Sequence, residues 1–84
     1  MHVEFFGLPR ERAGTRAIEV QAETLGQLLE KLAEQFPPLS EFVDANRLHP
    51  VFVANLNGDC FVSDPGTPLG ENDHVLILSA DAGG

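Results

Sequence analysis

Basic residues are scarce in this chain. Five lysines and arginines stand against thirteen aspartates and glutamates, a formal net charge of −8 over 84 residues. Phosphate backbones and anionic lipid surfaces repel such a molecule, so nucleic acid and membrane are excluded as natural partners and a protein with a basic face is favoured. Long hydrophobic runs are also missing: no segment approaches the roughly 20 apolar residues that span a bilayer. Met1-His2-Val3-Glu4 has neither the basic start nor the apolar stretch of a secretory signal, so none is expected. Cysteine occurs once, at Cys60, which rules out an intrachain disulfide framework and points to a cytoplasmic setting.

Groups that could carry catalysis are equally sparse. Cys60 has no activating base at a recognisable spacing and reads as a packing residue. His2, His49 and His74 are scattered, with no metal-ligand spacing among them or with Cys60. No glycine-rich phosphate loop is present. A domain of this length buries only about 60–65% of the surface its unfolded chain exposes, which leaves little room for a preorganised active site. No catalytic residue, bound cofactor or metal site is expected. A carrier, adaptor or subunit fits better than an enzyme.

What is present is a pattern of short elements. His2 to Gly7 alternates as a strand, with Val3 and Phe5 on one face and His2, Glu4 and Phe6 on the other. Leu8 to Thr15, with Pro9, Gly14 and three charges, reads as a loop, and Arg16 to Val20 alternates again. Thr24 can cap a helix, and Gln27 three residues on completes a capping box. Leu25, Leu28, Leu29, Leu32 and Phe36 then form one apolar stripe, which Pro37-Pro38 terminates. A further helical turn is expected near Leu39 to Ala45. Pro50 to Leu56 is a strand, Asn57-Gly58 signals a two-residue hairpin turn, and Cys60 to Val62 returns. Ser63 to Asp73 is a loop, and His74 to Ser79 has the apolar character of a central strand. One helix stripe must be covered by one face of one sheet. The expected fold is α+β: a ubiquitin-like β-grasp over residues 1–79, with a mixed sheet on one main helix, followed by a flexible tail over residues 80–84.

That tail, Ala80-Asp81-Ala82-Gly83-Gly84, has no bulky apolar anchor and should project as a mobile arm. Glycine averages about 7% of residues, so two at the end arise by chance in about one chain in 200. A free carboxylate is a poor electrophile and must be activated, typically by adenylation, inside another protein's active site. Side chains would obstruct a narrow channel there; Gly83 and Gly84 would not. An extended arm can also pair its backbone with the receiving enzyme.

These motifs together resemble the MoaD/ThiS family of β-grasp sulfur carriers, on the molybdopterin synthase small-subunit side. The resemblance runs from Val3-Glu4-Phe5-Phe6-Gly7, Arg10-Glu11 and Gly14-Thr15, through Pro68-Leu69 and Asp73-x-Val75, to Gly83-Gly84. It implies that an ATP-dependent, E1-like adenylating enzyme activates Gly84 and that a sulfur donor protein converts it to a thiocarboxylate. A MoaE-like synthase large subunit would then use that sulfur; ATP belongs to the partner, and nothing is bound here. Asn72 stands where the family commonly has glycine and is expected to accept positive φ. The tail lacks the prolines frequent in the molybdopterin branch. Thiamine or cysteine synthesis, conjugation to lysines as a ubiquitin-like modifier, and a pure binding module are the alternatives.

Docking is expected on the sheet face away from the helix. If Val3 and Phe5 face the helix, Phe6 points away, and Leu76 and Leu78 do the same. With Cys60 on the adjoining hairpin they would form an exposed apolar patch, and Arg10 is a candidate edge contact.

Overall fold

A computed structural model of the chain describes residues 1–83. Its core is a five-stranded mixed sheet in the order β2-β1-β7-β5-β6, built from β1 (His2–Phe6), β2 (Ala17–Glu19), β5 (Phe52–Leu56), β6 (Cys60–Val62) and β7 (His74–Ser79). β1 and β7 run parallel at the centre and every other neighbour pair is antiparallel. The helix α2 (Leu25–Gln35) supplies the second layer. This is the β-grasp arrangement, with β7 central as its apolar sequence requires.

Helix α2 starts and stops for local reasons. The Gln27 amide donates to Thr24 Oγ1 at 3.2 Å, and the Glu23 amide donates to Gln27 Oε1 at 2.8 Å. The loop after β6 helps as well: Leu25 and Gly26 donate to the carbonyls of Thr67 and Pro65, both at 2.9 Å, which satisfies amides that a helix start leaves free. At the far end Phe36 caps the helix before Pro37. Leu25, Leu28, Leu29 and Leu32 are fully buried against Val3, Phe5, Val75 and Ile77. The Phe36 ring meets Phe5 edge-on at 5.7 Å, a favoured aromatic geometry.

Three local expectations are corrected. Residues expected as a loop form α1 (Leu8–Ala13). Pro9 lies in its first turn, where a missing amide costs nothing, and Gly14 closes it at φ 73, its amide donating to Arg10 at 2.9 Å. Those two residues mark helix ends, not a loop. The turn expected over 39–45 is instead a 3-10 turn (Pro37–Leu39) followed by a small hairpin of β3 (Val43–Asp44) and β4 (Arg47–Leu48). Asn72 does not take positive φ; among the described residues Asn57, at φ 57, is the non-glycine residue that does. The turn at 70–73 is held instead by Asp73, whose Oδ2 accepts from the Gly70 amide at 2.7 Å. No helix of the described residues is long and apolar enough to cross a membrane.

Candidate functional site

The sheet face away from α2 is built by strand alternation. Because Phe6 pairs with Leu78 and Leu78 with Val53, these three side chains form one outward row. Glu4, Leu76, Asn55 and Phe61 form the next. Phe6 is 47% exposed and Phe61 63%, Leu76 and Val53 are half-buried, and Leu78 is only 7% exposed. Leu78 is therefore the covered floor of the patch, and the two phenylalanines are its offered surface. Arg10 sits at the rim. Its guanidinium lies 5.4 Å over the Phe6 ring, and its Nε donates to the Phe5 carbonyl at 3.2 Å.

Cys60 is not part of this patch. It pairs with Leu56, and Leu56 with Val75, which places it in a row of the helix-facing side; it is exposed because it lies on the edge strand β6. The hairpin closes over three residues, 57–59, not two. Asn57 and Gly58 both have positive φ and the Asp59 amide donates to Leu56, as the turn signal implied, but the ladder resumes only at Cys60. A two-residue loop would have turned Cys60 outward; the extra residue turns Phe61 outward instead.

The tail leaves β7 beside the patch. Leu78 is two residues before Ala80, and the Ala80 amide donates to the Val51 carbonyl at 2.8 Å. Ser79 Oγ accepts from the Leu8 amide at 3.2 Å, which ties the end of β7 to α1. An open groove lined by Leu8, Pro50, Val51, Ser79, Ala80 and Asp81 lies at this junction. Ala80–Gly83 take one helical turn, α3, where an extended arm was expected. Gly84, the expected site of activation, lies outside the described residues.

At the opposite end of β7 two of the three histidines expected to be scattered, His2 and His74, come together, while His49 packs against Phe42. His2 and His74 are direct partners across the parallel β1–β7 pair, with ring centroids 4.7 Å apart. Glu4 Oε1 lies 3.3 Å from His2 Nε2 and 3.2 Å from His74 Nε2, while His2 Nδ1 is 2.8 Å from Glu19 Oε1. The hydrogen bond to Glu19, helped by Glu4, raises the His2 pKa above its ordinary value. The Asp73 carboxyl is held below its ordinary pKa, chiefly by a hydrogen bond from Asn57 and then by the Gly70 amide.

Comparison with known proteins agrees with this architecture. Among solved structures, SAMP1 from Haloferax volcanii superposes with a TM-score of 0.78 at 24% identity, covering 99% of this chain and 97% of that one. The Amycolatopsis orientalis BexX/CysO complex gives 0.78 at 20% identity over 99% and 98%. Urm1 from Sulfolobus solfataricus gives 0.71 at 20% identity over 94% and 99%. Identities this low establish the shared fold. No curated protein sequence matches. The model of the ThiS family, however, matches residues 3–84, from β1 through Gly84. The chain belongs to the ThiS family.

Proposed function

We propose that this chain carries sulfur on its C-terminal carboxyl group, as the small subunit of a molybdopterin synthase. The observation that carries the sulfur-carrier part of this reading is the reach of the family match, which includes Gly83 and Gly84; the molybdopterin branch is proposed from the sequence resemblance alone. An E1-like partner binds ATP, and the Gly84 carboxylate attacks its α-phosphorus. Pyrophosphate leaves and an acyl adenylate remains. A sulfur nucleophile from a donor protein then attacks the acyl carbon, AMP leaves, and reduction of any donor disulfide by a thiol frees the thiocarboxylate. In this scheme the chain is a substrate and a docking module, and its partners do the catalysis.

The outer sheet face supports the docking half of the proposal. Phe6, Phe61, Leu76 and Val53 present apolar area around the covered Leu78, with Arg10 at the rim. A partner seated there sits beside the point where the tail leaves β7, so one interface would both bind the domain and receive its end. That one neighbour of this fold is a complex of CysO with BexX is in keeping with such docking. An activating enzyme and a MoaE-like large subunit are the partners proposed.

A second reading has specific support. Two fold neighbours are small archaeal modifier proteins, from Haloferax volcanii and Methanosarcina acetivorans, which favours conjugation of the same activated Gly84 to lysine amines as an alternative use. Intact-mass measurement after incubation with the native activating enzyme, ATP and a sulfur source separates the readings. Exchange of one carboxyl oxygen for sulfur supports the carrier; lysine-linked adducts without that exchange support the modifier. An unchanged mass in the presence of active partners sinks both.

A further inference from the structure

We infer that His2, Glu4 and His74 form a binding site for a borderline divalent transition-metal ion, Zn2+ being the reference case. The site is separate from the carrier chemistry. His74 opens β7 and Ser79 closes it, so five strand steps of about 3.3 Å put roughly 17 Å between the cluster and the root of the tail.

Three observations carry the inference. The first is ligand type and spacing. The potential ligand atoms of His2, Glu4 and His74 all lie within 4.8 Å of one another, and Glu4 Oε1 stands 3.3 and 3.2 Å from the two imidazole Nε2 atoms. Zinc takes nitrogen and oxygen ligands at about 2.0–2.1 Å, and a tetrahedron of that radius has edges of about 3.3–3.4 Å. Those two separations match two of the three edges that the ligands of a tetrahedral ion define, and the third, between the imidazoles, is within 4.8 Å.

The second is backbone support. His2 and His74 are paired residues on the two central parallel strands, and Glu4 follows His2 by two positions on the same face. All three side chains rise from the paired β1 and β7 strands, so little backbone ordering is required when an ion binds.

The third is an outer carboxylate. Glu19, paired with His2 across β1–β2, accepts from His2 Nδ1 at 2.8 Å. A carboxylate on the far nitrogen fixes the tautomer and leaves Nε2 as the ligand, an arrangement that recurs behind metal-bound histidines. Without an ion, a proton on His2 Nε2 faces Glu4. Metal binding displaces that proton to solvent and puts the cation beside the Glu4 carboxylate, with Glu19 on the opposite nitrogen of His2. The three ligands are half-exposed, so water completes the fourth position. Hard ions such as Mg2+ prefer an all-oxygen octahedron and fit this donor set poorly.

Calorimetric titration of Zn2+ into the untagged, full-length chain tests the inference. One ion per chain binds with micromolar affinity, and Mg2+ gives no comparable heat. His2→Ala and His74→Ala each weaken Zn2+ binding by more than about tenfold, Glu19→Gln weakens it about tenfold, and His49→Ala leaves it unchanged. Co2+ bound to the wild-type chain shows the intense visible bands of tetrahedral coordination, and His74→Ala abolishes them. Circular dichroism confirms the fold of each variant, as the substituted side chains are at the surface. Absence of Zn2+ binding at millimolar concentration overturns the inference, as does equal affinity in His2→Ala, His74→Ala and wild type.

Discussion

Leu56 pairs with Cys60 and not with Asp59, and this offset of one residue decides which side chains the β5–β6 hairpin offers to a partner. Phe61 is turned to the outer face, 63% exposed, in a row with Leu76 and Asn55. Phe61→Asp is expected to weaken the complex with the activating enzyme or the synthase subunit by tenfold or more, about the 1.4 kcal/mol and above of an interface anchor. Cys60→Ser is expected to stay within about twofold of wild type. Surface plasmon resonance with the purified partners measures both. Equal losses in the two variants would contradict the assigned register.

Gly26 lies where α2 meets the 43–48 hairpin and the loop after β6. A Cβ at this position would stand 2.7 Å from the Ala45 carbonyl oxygen and 3.2 Å from Pro65. Backbone atoms on that side must move to make room. Gly26→Ala is expected to lower stability by about 1–3 kcal/mol, the usual range for forced overpacking, despite alanine's better helix propensity. Chemical denaturation checks this, and a stabilised variant would show that the hairpin yields freely.

The His2 pKa is raised, first by its hydrogen bond to Glu19. A folded-state pKa above the ordinary 6.5 stabilises the fold while His2 is protonated, so the contribution is complete below pH 6.5. It is lost as pH rises through the folded value. Comparing melting temperatures of wild type and His2→Gln, with metal chelated, should show the larger deficit at pH 6 and a smaller one at pH 8. An NMR titration of His2 should have its midpoint above 6.5.

Asp73 carries the opposite sign. Its Oδ1 accepts from Asn57 Nδ2 at 3.0 Å and its Oδ2 from the Gly70 amide at 2.7 Å. The folded pKa is below the ordinary 3.8, so the contribution is present above 3.8 and fades as pH falls through the folded value. Asp73→Asn is expected to destabilise the fold at pH 7, and the difference from wild type should shrink at pH 2–3. A constant difference across that range would mean the carboxylate charge is irrelevant.

The main helix, its cap, the central strand and the outward turn of Phe6, Leu76 and Leu78 are legible in the sequence, because alternation and helical spacing report burial directly. Residues 8–14 mislead: Pro9 and Gly14 are breakers inside an element and caps at its ends, and six residues carry too little periodicity to say which. The hairpin misleads differently. Asn57-Gly58 identifies the turn, but whether Asp59 joins the ladder is a matter of the β5–β6 register, which the turn residues alone do not encode. The histidine cluster is out of reach for a related reason. His2 and His74 are separated by nearly the whole chain, and only the parallel pairing of its first and last strands makes them neighbours.

Where the sulfur is held is the point on which everything else depends. The wild-type chain, Cys60→Ser and a chain lacking Gly84 are incubated with activating enzyme, ATP and sulfur donor, then digested and read by tandem mass spectrometry of the C-terminal peptide. Sulfur replacing one oxygen on Gly84 in both wild type and Cys60→Ser, with no loading of the shortened chain, is the expected result. Sulfur found only as a persulfide on Cys60, with an unmodified Gly84, would contradict it.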